Sequence, residues 1–114
     1  MKSYDWNEMT THQQEGRLRR VIAGERMTVL RQVIPSGPDS LGAHSHPQEQ
    51  ISIVLEGRAR FTCADEEVTL GPGGVVIFPP DTEHSTQNLE DGNLVVEEIF
   101  SPGVERLNKL APQS

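Results

Sequence analysis

Apolar positions along this chain recur in short runs with a period of two, and glycine, proline and acidic turn residues stand between the runs. Successive side chains of an extended strand point to opposite faces, so this pattern predicts strands rather than helices. Strands are expected at Leu18–Ala23, Arg26–Ile34, Ala43–His46, Gln50–Glu56, Arg58–Ala64, Glu67–Leu70, Gly74–Phe78, His84–Gln87 and Leu94–Ser101. Short turn signals join most of them: Ala23-Gly24-Glu25, Glu56-Gly57-Arg58, Asp65-Glu66 and Glu90-Asp91-Gly92-Asn93. The last contains the Asp-Gly pair favoured in tight hairpins. Two runs, Ile51-Ser52-Ile53-Val54-Leu55 and Val75-Val76-Ile77-Phe78, are largely apolar on both faces. Such strands need cover on both sides, a barrel interior on one and a second sheet or partner subunit on the other.

Ten glycines and eight prolines in 114 residues fit an all-β sandwich or barrel. That length suits one domain with a single core and no covalent staples. The expected organisation is an irregular polar segment over 1–16, the barrel over 17–101 and a tail over 102–114, with Leu107 and Leu110 as docking points. The single cysteine, Cys63, cannot pair within the chain, and its alternation with Ala59 and Phe61 makes it a structural thiol. Seventeen acidic against ten basic residues give a net charge of −7, with no basic run to track phosphates, so nucleic acid is not an expected partner. No apolar stretch is long enough to span a membrane, and the first residues lack the apolar core of a secretory signal. A soluble cytoplasmic protein without membrane contact is expected.

The chemistry concentrates in His44-Ser45-His46, answered far downstream by His84. Histidines at i and i+2 project from the same side of a strand, and imidazole is a ligand that most transition metals accept. A third histidine from a distant strand completes a site for a divalent ion such as nickel, manganese, iron, zinc, cobalt or copper. His12, set among Thr, Gln and Glu, is expected to be exposed and outside it. On the last strand, alternation places Val96, Glu98 and Phe100 on one face and Val95, Glu97 and Ile99 on the other.

The segment Gly42-Ala43-His44-Ser45-His46-Pro47-Gln48-Glu49-Gln50, with Gly57, resembles the first motif of the cupins; Gly73, Pro79-Pro80-Asp81-Thr82-Glu83-His84 and Asn88 resemble the second. In two places the chain departs from the family pattern. The glycine ahead of the histidine pair falls at Gly37, one residue too far away, and Asp81 stands where the family has glycine. The resemblance implies a single-domain jelly-roll β-barrel holding a metal on His44, His46 and His84. The family's fourth ligand, commonly a glutamate four residues after the second histidine, corresponds to Gln50 through its amide oxygen. Glu49 is the alternative, although a one-residue shift in a strand turns a side chain to the opposite face. Three imidazoles and an amide would leave the charge of the dication uncompensated, which strengthens its pull on a bound oxygen.

Within the cupins, the His-Ser-His-Pro-x-Glu-Gln segment, Val54-Leu55-Glu56-Gly57 and the ending Glu98-Ile99-Phe100-Ser101-Pro102 are similar to the proteins of pectin and alginate breakdown that linearise 4,5-unsaturated monouronates. That resemblance implies Glu98 and Phe100 as catalytic residues beside the metal. The family has Asp where this chain has Glu98, and an arginine where it has Val104; Arg106 lies two residues later, and Arg31, Arg58 and Arg60 are other candidate anion binders. The function implied is ring opening and ketonisation of a small sugar-acid-like substrate, with the metal as Lewis acid and Glu98 as general acid and base. A metal-dependent dioxygenase with the same ligands is an alternative, as is a non-catalytic metal or small-molecule binding module. Cupins of this size generally pair sheet to sheet, so a homodimer is expected.

Overall fold

The computed structural model describes residues 1–37 and 41–113. Among them ten strands form in chain order: β1 (His12–Gln14), β2 (Arg17–Ala23), β3 (Thr28–Ile34), β4 (Leu41–His44), β5 (Glu49–Glu56), β6 (Ala59–Cys63), β7 (Glu66–Leu70), β8 (Val75–Phe78), β9 (His84–Asn88) and β10 (Leu94–Ser101). A six-stranded sheet has the order β1-β2-β3-β10-β5-β8, and a four-stranded sheet the order β4-β9-β6-β7. Every pairing is antiparallel. The sheets are the two walls of a jelly-roll β-barrel, the all-β fold that the alternation requires. No helix among the described residues is long and apolar enough to cross a membrane.

All nine expected strands form, each end within two residues of its expected place. The segment 1–16, read as irregular, differs: Trp6–Glu8 makes a 3-10 turn and β1 pairs with β2. β1 is all polar, His12-Gln13-Gln14, so no hydrophobic alternation announces it; the turn at Glu15 and Gly16, both with positive φ, folds it back. Beyond β10, a short helix α1 (Glu105–Asn108) docks on the barrel. Thr28 accepts from the Val104 amide (2.9 Å) and donates to Asn108 (2.6 Å), clamping the tail to β3. Gly57 is a glycine by necessity. Its φ is 90°, and a Cβ there would lie 2.8 Å from the Asn93 carbonyl oxygen.

The interior is layered along the strands. One cluster, Ile34, Val54, Ala59, Phe61, Phe78, Leu94 and Val96, draws on both sheets and plugs one end; Cys63, expected in the core, packs against it half-buried. A second cluster, Val21, Leu30, Phe100, Val104, Leu107 and Ala111, joins the six-stranded sheet to the tail, with Leu110 against its edge. The inward positions between the two clusters are polar. On β3, Gln32 stands between Ile34 and Leu30; on β10, Glu98 stands between Val96 and Phe100; on β5, Gln50 and Ser52 follow on from Val54. All four polar residues are buried. Burying hydrogen-bonding groups costs stability unless each finds a partner, so this layer calls for an account.

Candidate metal centre

His44 closes β4 and His84 opens β9, and the two are direct cross-strand partners, which turns them to one face. His46 follows on the loop ahead of β5, and the Asp81 amide donates to its carbonyl oxygen at 2.8 Å, tying the two histidine segments together. Asp81 adopts φ 57°, the left-handed region where glycine is at ease and Asp is among the few tolerated alternatives. That conformation is why glycine suits this position of the motif. The three imidazoles converge. Ring centroids lie 4.5 Å apart for His44 and His84, 4.8 Å for His46 and His84 and 5.6 Å for His44 and His46. One ligand atom from each lies within 4.8 Å of the others, so the group can hold a metal ion.

Hydrogen bonds set the tautomers. His84 Nδ1 donates to the Thr82 carbonyl (2.9 Å), leaving Nε2 buried and, among the described residues, without a hydrogen-bond partner, while the ring stacks on Phe78 at 4.2 Å. Burial lowers the pKa of His84 to about 4, so the metal-free imidazole is neutral with its lone pair available. His46 Nδ1 lies 3.0 Å from the Gln48 carbonyl, to which it donates, and Nε2 lies 2.9 Å from Gln50 Oε1. The Gln50 amide nitrogen donates to Ser52 Oγ (2.9 Å) and Glu98 Oε2 (3.0 Å), which fixes the oxygen toward His46. A neutral His46 with its proton on Nδ1 then turns a lone pair toward the Gln50 oxygen across 2.9 Å, a pair that one cation bound by both atoms would relieve. An orphaned buried nitrogen and an opposed pair of acceptors are what a divalent ion relieves, and a set of imidazoles with an amide oxygen suits the transition metals named above.

Glu98 points inward, as its parity with Val96 and Phe100 requires. It accepts from Gln50 and from Gln32, and Gln32 in turn accepts from Arg19 Nε at 3.2 Å. A continuous chain of contacts therefore runs Arg19–Gln32–Glu98–Gln50–His46. Burial holds the Glu98 carboxyl above the usual carboxylate range, opposed by the Gln32 hydrogen bond and the charges of Arg19 and Arg17. Phe100 packs edge-on to His46 at 5.6 Å and is the cross-strand partner of Gln50. A cavity of about 400 Å³ opens over this group, lined by His44, His46, Glu98, Phe100, Arg19 and Arg106 among others.

Other residues named from the sequence lie elsewhere. Glu49 is exposed, in register with Ser101. His12 sits on β1, apart from the cluster. Arg31 pairs with Glu97 on the outer face and covers the Trp6 ring, Arg60 pairs with Glu67, and Arg58 is exposed, so none of these arginines lines the cavity. Arg17 and Arg19, in the run Arg17-Leu18-Arg19-Arg20, are buried site-side residues that the motifs do not include. The missed signal was parity: Arg17 and Arg19 share the inward face with Val21, while Leu18 is 45 % exposed on the other.

The cupin domain family model matches residues 30–100, more than half of the chain. This chain is a cupin. An uncharacterised protein of Methanocaldococcus jannaschii is 26 % identical over 69 residues, and the chain spans about 55 % of that relative's length and 60 % of its own. Among solved structures, KdgF from Halomonas sp. superposes with a TM-score of 0.83 at 22 % identity, covering 92 % of this cupin and 98 % of that chain. An RmlC-like cupin from Shewanella frigidimarina gives 0.81 at 18 % identity, covering 90 % and 92 %. A predicted oxalate decarboxylase from Thermotoga maritima gives 0.79 at 17 % identity, covering 89 % and 99 %. At these identities the structures share the fold with this cupin.

Proposed function

We propose that this cupin is a metal-dependent enzyme that opens and ketonises a small unsaturated uronate or a closely similar sugar acid. The observation that carries the reading is the shared cavity: three convergent histidines, a desolvated acid and an aromatic ring line or adjoin one space large enough for a single sugar. His44, His46, His84 and Gln50 would hold the ion. The inward turn and hydrogen bonding of Gln50, against the exposure of Glu49, favour Gln50 as the fourth ligand. When bound, a divalent metal supplies Lewis-acid polarisation of a substrate oxygen.

The chain's own groups supply the rest. Glu98, held above its ordinary range by burial, is a stronger proton acceptor than a solvated carboxylate and can return the proton, the two halves of a ketonisation. Gln32 and Gln50 each donate to one Glu98 oxygen, fixing the carboxyl plane. Phe100 presents an apolar wall that excludes water from one side of the substrate. The similarity of the ending Glu98-Ile99-Phe100-Ser101-Pro102 to the uronate-linearising cupins supports the substrate class. We further propose that two copies pair through the outer face of the six-stranded sheet, where Ile77 and Val75 are 61 % and 53 % exposed.

Incubating the metal-loaded protein anaerobically with unsaturated galacturonate tests the reaction. Loss of the conjugated alkene absorbance is expected. Turnover that requires oxygen would instead mark a dioxygenase, and binding of metal and sugar acid without turnover would mark a binding module.

A further inference from the structure

We propose that Arg19 is the carboxylate anchor of the substrate cavity, and that the Glu15 side chain holds that position until a ligand carboxylate displaces it. The inference rests on the reading of the cavity as a substrate site. It adds the group that selects an acid over a neutral sugar.

Arg19 is 5 % exposed on the inward face of β2 and lines the cavity with His44, His46, Glu98 and Arg106. A guanidinium stays charged when buried, so it needs an anion nearby. Its fork is already oriented: Nε donates to Gln32 (3.2 Å) and Nη1 to Gln14 (3.2 Å). Among the described residues, the remaining arm, Nη2, hydrogen-bonds only to the Glu15 carboxylate, at 3.4 Å, and the same oxygen lies 3.3 Å from Arg17 Nη1. Glu15 is a weak occupant, since its side chain is 66 % exposed and it sits on the β1–β2 turn with φ 53°. A solvated ion pair at that distance contributes little. A ligand carboxylate inside the cavity would be shielded from water, which strengthens its charge-assisted hydrogen bond to Nη2 relative to that of the exposed Glu15. Glu15 itself shows that this end of the cavity accommodates a carboxylate. Arg106 lines the same cavity, and the histidines that would hold a cation lie beside it, so positive charge gathers locally against the carboxylates of Glu15 and Glu98.

A purely structural Arg19 would tie β1 to β3 through Gln14 and Gln32 and would have no influence on ligand charge. Calorimetric titration of the metal-loaded protein with galacturonate and with galactose, its neutral counterpart, separates the two roles. The wild type should prefer the acid by about tenfold or more, the scale of a hydrogen bond to a charged partner. Arg19→Gln should cut that preference to about threefold or less, and Arg19→Lys, which keeps the charge without the fork, should fall between the two. Glu15→Gln should tighten galacturonate severalfold and leave galactose unmoved, measured on protein whose fold is verified by circular dichroism. The assignment is overturned by a wild type that does not prefer the acid or by a preference that survives in Arg19→Gln. Should Arg19→Gln fail to fold, full preference in Arg19→Lys or unchanged affinity in Glu15→Gln overturns it. Alkene loss measured in parallel reports on the reaction separately. A wild type that binds galacturonate through Arg19 yet leaves the unsaturated sugar intact ends the ring-opening reading alone, and an Arg19→Gln enzyme with unchanged KM ends the Arg19 assignment alone.

Discussion

Across the outer face of the six-stranded sheet, Ile77, Ile51, Ile99, Val29 and Ile22 fall in one register line over five strands. On the inner face, the neighbouring line reads Val76, Ser52, Glu98, Leu30 and Val21, with a serine and an acid at its buried centre. The first row is apolar yet only half-buried, with Ile77 exposed; the second is partly polar and buried except at Val76. Hydrophobic burial alone would arrange the two the other way round. A chain tolerates a buried acid where a site needs one and an exposed apolar row where a partner covers it, so each face is informative where it breaks the pattern.

The largest effect should come from the inner row. Glu98→Gln keeps the shape and should keep the metal, yet it should reduce kcat by roughly a hundredfold or more, the usual contribution of a general acid or base. Because burial raises Glu98, the wild-type rate should also carry an inflection above the ordinary carboxylate range that the Gln variant lacks. Turnover near wild type in Glu98→Gln would reduce this acid to a structural group. From the outer row, Ile77→Lys should weaken the proposed dimer by about 2 kcal/mol or more, roughly thirtyfold in Kd. Light scattering checks this, and a wild type that is monomeric at micromolar concentration removes the outer half of the comparison.

Gln50→Glu should retain metal but lower kcat by about tenfold, since it replaces the donor to Glu98 with a second acid and loses a hydrogen bond to a charged group of about 1.5–3 kcal/mol. Steady-state kinetics with metal analysis separates the two effects. The smallest effect is on stability: metal at about tenfold its Kd stabilises the fold by about 1.4 kcal/mol, so chelation should lower Tm by several degrees. A melting curve unmoved by verified metal removal would show that the histidines bind metal too weakly to matter.

The strands, the inward turn of Glu98 and the gathering of His44, His46 and His84 were all legible, because a period of two fixes facing and the turn residues mark the ends. What escaped notice lacked that signal. β1 has no apolar residue to set a phase, and α1 is too short for a helical period. Arg19 sits in a run of arginines whose charge suggests solvent, and only Val21, two residues on, shows that its face is inward. Its buried hydrogen-bond partner, Gln32, comes from β3, a pairing that local pattern does not reveal.

If the polar layer inside the barrel is a metal site, its three histidines carry it. Metal per chain, measured by mass spectrometry after loading and gel filtration, tests it most directly. Near-stoichiometric metal is predicted for the wild type and for His12→Ala, and essentially none for the His46→Ala, His84→Ala double variant; full occupancy in that double variant would contradict the account.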